Sequence, residues 1–250
     1  MEYKDLLVAI SAQYNKLLAE NLIGIYVHGS IAFGCFTWAK SDIDFIVVVN
    51  ETVPQQTKLR LLQVLENLRG QAPSKGFEMS VTLGKYCKEF VYPTPYELHF
   101  SNGWLERYLE NPLLLCNDEP KTDYDLAAHF VVIKNVGIVL SGKPISEVFG
   151  DIPKEDYLDS IRKDIENAAE DVAGDPVYVI LNQCRVYAYI RDGLVLSKEQ
   201  GGQWGLKNLP EQYHNVIAAA LNDYTQNTAT ANDKALQISF CKHMRNLIFG

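Results

Sequence analysis

The spacing of hydrophobic and polar residues in the first third of the chain predicts two helices and three strands. Apolar residues recur every three or four positions over 4–20 and 55–69, which is typical of helices that bury one face. Shorter runs at 23–28, 44–49 and 77–83 are rich in β-branched residues and predict strands. The run at 44–49 is almost continuously apolar, so we expect that strand to be buried on both faces.

After about residue 97 the pattern changes to long stretches with helical spacing. These stretches are 123–140, 154–172, 175–192, 210–224 and 231–247, and turn sequences rich in Gly and Pro separate them. We place the domain boundary near the GDIP turn at 150–153, beyond which all the predicted elements are helices. We therefore predict a domain of residues 1–152 followed by a helical domain of residues 153–250.

Composition and charge narrow the possible functions. The chain has 250 residues, 47% of them hydrophobic, and a formal net charge of −8. This charge argues against general nucleic-acid binding, which needs Lys and Arg, and favours cationic partners. The five scattered cysteines show neither zinc nor disulfide spacing, and no run of about eighteen apolar residues occurs. We expect a cytoplasmic protein with no nucleic-acid partner and no membrane association.

Two carboxylates stand at the head of the strand predicted over 44–49. Asp42 and Asp44 lie two positions apart, so on a strand both side chains project to the same face. Like charges this close repel each other unless a cation lies between them, and oxygen ligands with room for water and phosphate suit Mg²⁺. An Asp pair that only caps a strand end or a turn is the alternative.

A Gly-Ser turn after the first strand is a candidate phosphate site. Gly29 and Ser30 precede a short helical segment at 31–36, where main-chain N–H groups and the Ser30 hydroxyl are suited to hold a phosphate. An ordinary turn is the alternative. A phosphate cradle beside a metal-binding acid pair is what nucleotidyl transfer requires.

Such a site needs a third acid on the adjacent strand. Glu78 lies within the apolar run FEMSV, where an unpaired carboxylate is costly. It is therefore the candidate for a metal ligand, a general base or both. A glutamate on an exposed edge strand is the alternative.

Longer segments resemble one enzyme family. The Gly-Ser pair, SDIDFIVVV and an acid on the next strand are similar to the nucleotidyltransferase superfamily. The segments at 96–108, 139–161 and 181–224 resemble the aminoglycoside 3''- and 9-adenylyltransferases, which attach AMP to streptomycin and spectinomycin. The resemblance covers roughly residues 22–247. It implies an α+β protein, with a nucleotidyltransferase domain of a small mixed sheet and helices followed by an all-α helical-bundle domain.

The resemblance also implies roles for individual residues. It implies two Mg²⁺ ions, with ATP as the co-substrate. The implied metal ligands are Asp42, Asp44 and Glu78, and Glu78 is also the implied catalytic base. The implied nucleotide-binding residues are Gly29, Ser30 and Ser41. The implied contacts to a cationic aminoglycoside, held between the two domains, are Trp104, Glu199 and Gln203.

Two positions depart from the pattern of the family. Gln203 stands where members that handle streptomycin usually carry an acid, and a lost charge-assisted hydrogen bond is worth about 1.5–3 kcal/mol. This argues against streptomycin, whereas Trp104 argues for it, because members restricted to spectinomycin tend to lack that tryptophan. His214 stands where an arginine that contacts ATP is expected. Two of the proposed acceptor contacts have structural alternatives. In these, Trp104 is a core residue, and Glu199 is an acid favoured by a helix N-terminus.

Three functions are compatible with the sequence. The first is Mg²⁺-dependent transfer of AMP from ATP to a hydroxyl of an aminoglycoside or aminocyclitol, with release of pyrophosphate. The second is the same chemistry on a protein or RNA acceptor, although the net charge argues against RNA. The third is a catalytically silent nucleotide-binding module, against which the three acids argue. No role is assigned to the histidines at 28, 99, 129 and 243, whose spacing indicates neither a triad nor a metal site.

Overall fold

The computed structural model describes residues 2–117, 119, 121–226 and 233–250. The chain divides into two compact units, Met1–Pro153 and Lys154–Gly250. Within the described residues, no helix combines the length and the apolar character needed to cross a membrane. Residues 231 and 232, which begin the helix predicted over 231–247, lie outside the described residues.

The first unit combines strands and helices. Its strands are β1 (Leu22–Val27), β2 (Ile43–Val49), β3 (Phe77–Leu83), β4 (Thr94–Tyr96), β5 (Leu98–Phe100), β6 (Lys121–Asp123) and β7 (Ile138–Gly142). Its helices are α1 (Tyr3–Leu18), α2 (Gly29–Ala32), α3 (Gln55–Leu68), α4 (Gly84–Lys88), α5 (Leu105–Glu110), α6 (Asp125–Val136) and α7 (Ile145–Val148). The elements predicted before residue 83 therefore all occur, the helical segment after the Gly-Ser pair being one short turn.

Five of the strands form a mixed sheet in the order β5-β3-β2-β1-β7. β2 and β3 are parallel, joined through α3, and the other neighbouring pairs are antiparallel. β4 and β6 form a separate two-stranded sheet. The α+β fold class with a small mixed sheet is thus confirmed for the first unit.

The central strand β2 is buried along its whole length, as its apolar sequence predicts. On one face, Phe45 and Val47 join a core cluster with residues of α1 and α3 such as Ile10. On the other face, Ile46 joins a second cluster with Phe130 of α6. Side chains alternate along a strand, so Asp44 projects to the same face as Ile46, the face that α6 covers.

One predicted helix ends early and gives way to a strand. The helix predicted over 123–140 ends at Val136, and β7 follows it as an edge strand beside β1. A Cβ atom at Gly137 would lie 2.6 Å from the carbonyl oxygen of Ile133, so the backbone leaves the helix at a position that only glycine fills. The β-branched residues after it then favour an extended strand.

The second unit is all helical. Its helices are α8 (Lys154–Lys163), α9 (Ala168–Asp171), α10 (Pro176–Asp192), α11 (Lys198–Asn208), α12 (His214–Gln226) and α13 (Lys234–Phe249). The single helix predicted over 154–172 is wrong, because the chain between α8 and α9 leaves helical geometry. The all-α prediction for this part of the chain is confirmed.

Helix α11 was not predicted, because its three glycines are poor helix formers. The structure shows that two of these glycines allow close packing against the neighbouring helices. A Cβ at Gly201 would lie 2.8 Å from Arg185 Cβ on α10, and one at Gly202 would lie 2.7 Å from Leu221 Cδ2 on α12. Close packing against two neighbouring helices therefore requires glycine along this face. A capping box of Ser197 and Gln200 fixes where the helix begins.

Candidate active site

The three predicted metal ligands come together at one end of β2 and β3. Asp42 precedes β2, Asp44 is its second residue, and Glu78 lies directly opposite Asp44 in the parallel register. Ligand oxygens of the three carboxylates all lie within 4.8 Å of one another. β3 lies between β2 and β5, so the alternative of Glu78 on an edge strand is wrong.

This acid cluster, Asp42, Asp44 and Glu78, fits a hard divalent cation. All three donors are carboxylate oxygens, the ligands that Mg²⁺ prefers in proteins. Asp44 is only 7% exposed, and burying a carboxylate there is costly unless a cation balances its charge. Glu78 is more open, with a side chain that is 31% exposed, so its carboxylate remains accessible to a reacting group.

The Gly-Ser turn lies against the acid cluster. Gly29 has a φ angle of +58°, and a Cβ at this residue would lie 1.9 Å from Asp44 Oδ2. Only glycine therefore allows the turn and the carboxylate to approach this closely. The main-chain N–H of His28 donates to the Asp44 carbonyl oxygen at 3.0 Å and holds the end of β1 to β2.

The hydroxyl groups near this turn differ in their surroundings. Ser30 Oγ is buried and has no hydrogen-bond partner among the described residues, as expected of a group that binds an incoming ligand. Ser41 is also buried, but its Oγ accepts from the Thr37 N–H at 3.1 Å and so closes the loop before β2. Ser30 is thus better placed than Ser41 to offer a hydroxyl to phosphate.

Three histidines, to which sequence reasoning gave no role, lie around Glu78. The ring of His129, on α6, stacks on that of His28 with centroids 4.6 Å apart. His129 Nε2 lies 3.6 Å from Glu78 Oε1. His99 Nδ1 and Ser80 Oγ are 2.8 Å apart, and Ser80 shares the face of Glu78. The three rings come from β5, α6 and the end of β1, which meet only when the sheet forms and α6 packs on it. Spacing along the sequence therefore carried no signal.

Burial sets the charge state of two of these rings. Burial lowers the pKa of His28 well below its usual range, and the neighbouring His129 lowers it further. Burial also lowers the pKa of His99, an effect that the negative charge of Glu78 partly opposes. His28 and His99 are therefore neutral imidazoles at neutral pH.

Trp104 lies on the same unit, next to the histidines. Its ring centroid is 6.4 Å from that of His99, and the Arg107 guanidinium lies over the indole at 4.8 Å. The side chain is partly exposed and also packs against the first core cluster. Trp104 is thus neither a fully buried core residue nor a free surface platform.

The other two predicted acceptor contacts lie together on α11 of the second unit. Glu199 is in the first turn of the helix, the position named in its alternative, and Gln203 Nε2 donates to its Oε1 at 3.3 Å. Gln203 is exposed, so an amide and a carboxylate are presented side by side to a ligand. His214 begins α12, and its Nε2 lies 3.0 Å from the Leu209 carbonyl oxygen.

Comparison with known proteins defines the class of this site. Residues 12–96 match the family model described as nucleotidyltransferase domain, and these residues carry Gly29, Ser30 and the whole acid cluster. The chain is therefore a nucleotidyltransferase enzyme. Residues 147–246 match a second family model, described as the C-terminal domain of aminoglycoside adenylyltransferase.

Curated relatives and a solved structure extend this similarity over both units. The chain is 26% identical over 212 residues to a spectinomycin 9-adenylyltransferase from Staphylococcus aureus (strain N315), covering 83% of this chain and 80% of the relative. It is 26% identical over 214 residues to an aminoglycoside (3'') (9) adenylyltransferase from Escherichia coli, covering 83% and 79%. Both family models and these relatives thus make the chain similar to the aminoglycoside 3''/9-adenylyltransferases over both units.

The fold is shared with a solved protein. A spectinomycin adenyltransferase from Enterococcus faecalis, whose crystal structure contains ATP and spectinomycin, superposes with a TM-score of 0.84 at 20% identity. The superposition covers 99% of each chain. At this identity the likeness establishes the fold: a mixed-sheet unit followed by a helical unit.

Proposed function

We propose that this enzyme transfers AMP from ATP to a hydroxyl group of spectinomycin or streptomycin and releases pyrophosphate. The observation that carries the proposal is the contact between Gly29 and Asp44, because it sets a turn suited to phosphate against a cation-binding donor set. The acceptor is supported by the relatives, one of which is named for spectinomycin, and by the solved Enterococcus protein with ATP and spectinomycin.

Each residue of the first unit has a proposed task. Asp42, Asp44 and Glu78 hold Mg²⁺, which when bound neutralises charge on the triphosphate. The Gly29 turn and the Ser30 hydroxyl bind phosphate oxygens, with Ser41 fixing the loop beside them. These contacts hold the α-phosphate in one orientation toward the acceptor.

The reaction is a single displacement at phosphorus. The acceptor oxygen forms a bond to the α-phosphorus of ATP, and the bond from that phosphorus to the oxygen that bridges the α- and β-phosphates breaks. Pyrophosphate leaves with the electron pair of that bond. Glu78 takes the proton of the acceptor hydroxyl, for which its partly exposed carboxylate is suited.

Charge supports a cationic acceptor. The chain carries a net charge of −8, which attracts polycations over distances up to a Debye length. Glu199 provides a carboxylate for an ammonium group, and Gln203 provides an amide where a second carboxylate would strengthen binding to guanidinium groups. We therefore propose spectinomycin as the preferred acceptor, although Trp104 favours streptomycin.

The test is an acceptor panel with product identification. The purified chain is incubated with ATP, Mg²⁺ and either spectinomycin, streptomycin, a tRNA pool or a protein extract, and pyrophosphate release and AMP-acceptor mass are measured. Release that depends on spectinomycin or streptomycin supports the proposal. Labelling of RNA or protein alone, or ATP binding without any transfer, would refute it.

A substitution at Glu78 tests the proposed metal-binding role. Glu78→Gln removes one charge from the acid cluster. We expect AMP transfer to fall to a low residual rate and Mn²⁺ binding, measured by calorimetry, to be lost. Glu89→Gln, at an exposed acid of the same unit, is the matched control and should leave both unchanged. Full activity of Glu78→Gln would contradict the assignment.

A further inference from the structure

His129 lies against the carboxylate that acts as base in the proposed function. Its Nε2 atom is 3.6 Å from Glu78 Oε1, which is ion-pair range and slightly longer than a hydrogen bond. Such contacts are commonly long in unliganded enzymes and shorten in the substrate complex. α6 brings the ring to this place because Phe130 and Ile133 of the same helix pack on the sheet beside Ile46.

The His129 ring is held in its orientation by its surroundings. It packs against the buried His28 ring, tilted by 35°, and the main-chain N–H of His28 donates to the Asp44 carbonyl oxygen. His129 Nδ1 is buried and has no hydrogen-bond partner within the part of the chain that the structure describes. A proton on Nδ1 would be a buried donor without an acceptor, whereas a proton on Nε2 points to the Glu78 carboxylate.

We infer that His129 is a positioning residue that fixes the orientation of the Glu78 carboxylate, an inference that rests on the proposed function. The His129 imidazole donates its Nε2–H to Oε1 and leaves Oε2 to accept the proton of the acceptor hydroxyl. The ring touches neither the phosphates nor the acceptor in this scheme. Its effect therefore passes entirely through Glu78.

The test compares two substitutions of the same ring. His129→Phe keeps an aromatic ring on His28 but removes the donor, and we expect kcat to fall roughly 10- to 100-fold, as for residues that orient a ligand-bearing group. KM for ATP and for the acceptor should change less than about 3-fold, because binding contacts are retained. His129→Gln places an amide N–H near the position of Nε2 and should recover most of kcat. His243→Phe, at a histidine stacked on Tyr213 in the second unit, is the control and should leave kcat unchanged.

Two further measurements separate positioning from folding and from the metal site. Circular dichroism should show the same secondary structure in His129→Phe and the unsubstituted chain. Mn²⁺ affinity measured by calorimetry should fall much less in His129→Phe than in Glu78→Gln, because the Glu78 ligand is retained but less well oriented. In the Glu78→Gln background, His129→Phe should change residual kcat less than about 2-fold, because the partner is gone. Equal kcat in His129→Phe and the unsubstituted chain, or a loss of Mn²⁺ binding as complete as in Glu78→Gln, would overturn the inference.

Failure of the proposed function would look different. An unsubstituted chain that modifies no drug refutes the acceptor assignment. The interaction between His129 and Glu78 is then measured by urea unfolding of the two single variants and the double variant. Non-additive midpoints support the contact, because the second substitution removes a contact already lost. Additive midpoints would refute it.

Discussion

At the scale of single residues, Gly29 is where the phosphate turn and the acid cluster meet. Alanine there would have its Cβ 1.9 Å from Asp44 Oδ2 and would adopt a positive φ that L residues disfavour. We expect Gly29→Ala to move Asp44 and to lower kcat/KM for AMP transfer about 100-fold, since small displacements at a reacting centre have effects of that order. Mn²⁺ affinity, measured by calorimetry, should fall with it.

Gly34 provides the control for the backbone part of this effect. Its φ angle is +71°, yet a Cβ there meets nothing within 4 Å. Gly34→Ala should therefore lose stability by about 1–2 kcal/mol from the strained backbone while AMP transfer stays within a factor of about 3. Equal losses of activity in both variants would show that the contact with Asp44 is unimportant.

Gln203 is the residue at which acceptor preference can be changed. A glutamate there adds a carboxylate next to Glu199, and a charge-assisted hydrogen bond to a guanidinium is worth about 1.5–3 kcal/mol. We expect Gln203→Glu to tighten streptomycin binding, measured by calorimetry, roughly 10- to 150-fold. Repulsion between the two acids on one helix should reduce this gain in binding free energy by about 0.2–0.5 kcal/mol. Gln226→Glu adds the same charge at an exposed position of α12 and should have little effect.

Local sequence was enough to find the acids but not their surroundings. Asp42 and Asp44 share a face because side chains alternate along any strand, and Glu78 follows from the expectation of a third acid on the adjacent strand. The histidine cluster depends on contacts between residues 28, 99 and 129, which no local pattern encodes. The close approach of Gly29 to Asp44 likewise appears only when β1 pairs with β2.

At the scale of elements, α10 and α11 are joined by a polar contact at the end of α10. The Trp204 Nε1–H donates to Asp192 Oδ2 at 2.8 Å, and the Arg191 guanidinium lies over the indole ring at 4.4 Å. Hydrogen bonds from Arg191 and from Trp204 lower the pKa of Asp192 below its usual 3.8. The ionised carboxylate therefore stabilises the folded state.

This contact gives stability a predictable dependence on pH. Because the folded pKa of Asp192 is lowered, its contribution is present above the unfolded pKa of about 3.8 and is lost as pH falls through the folded value. Asp192→Asn should lower the urea midpoint at pH 7, and its difference from the unsubstituted chain should shrink below about pH 4. Circular dichroism at a series of pH values measures this. Asp171→Asn, at an exposed acid, should shift neither quantity.

Elements were predictable where propensity and packing agree. α1, α3, β2 and β3 have one-sided or continuous apolar patterns, and the structure confirms each. Helix α11 fails this rule because close contact with Arg185 and Leu221 requires glycine where propensity disfavours it. β7 is short and follows directly after the helix α6, so the hydrophobic spacing of α6 extended the predicted helix over the start of this strand.

At the scale of the whole molecule, the predicted division at 152/153 has a physical consequence. The acid cluster and both core clusters on the sheet of the first unit consist of residues before Pro153, ending at Phe149. Each face of the sheet is thus covered by helices of the same unit. We predict that a fragment of residues 1–153 folds and keeps its divalent cation site.

Calorimetry of that fragment with Mn²⁺ tests this prediction. We expect a dissociation constant within about 3-fold of that of the full chain, since an assembled donor set depends on the local sheet and not on chain length. The same fragment with Asp44→Asn should not bind, which separates site binding from adventitious binding. The fragment should transfer no AMP to spectinomycin, because Glu199 and Gln203 lie in residues 154–250. An unfolded fragment would show that the boundary does not separate two domains, whereas a folded fragment with full transfer would remove the second unit from acceptor binding.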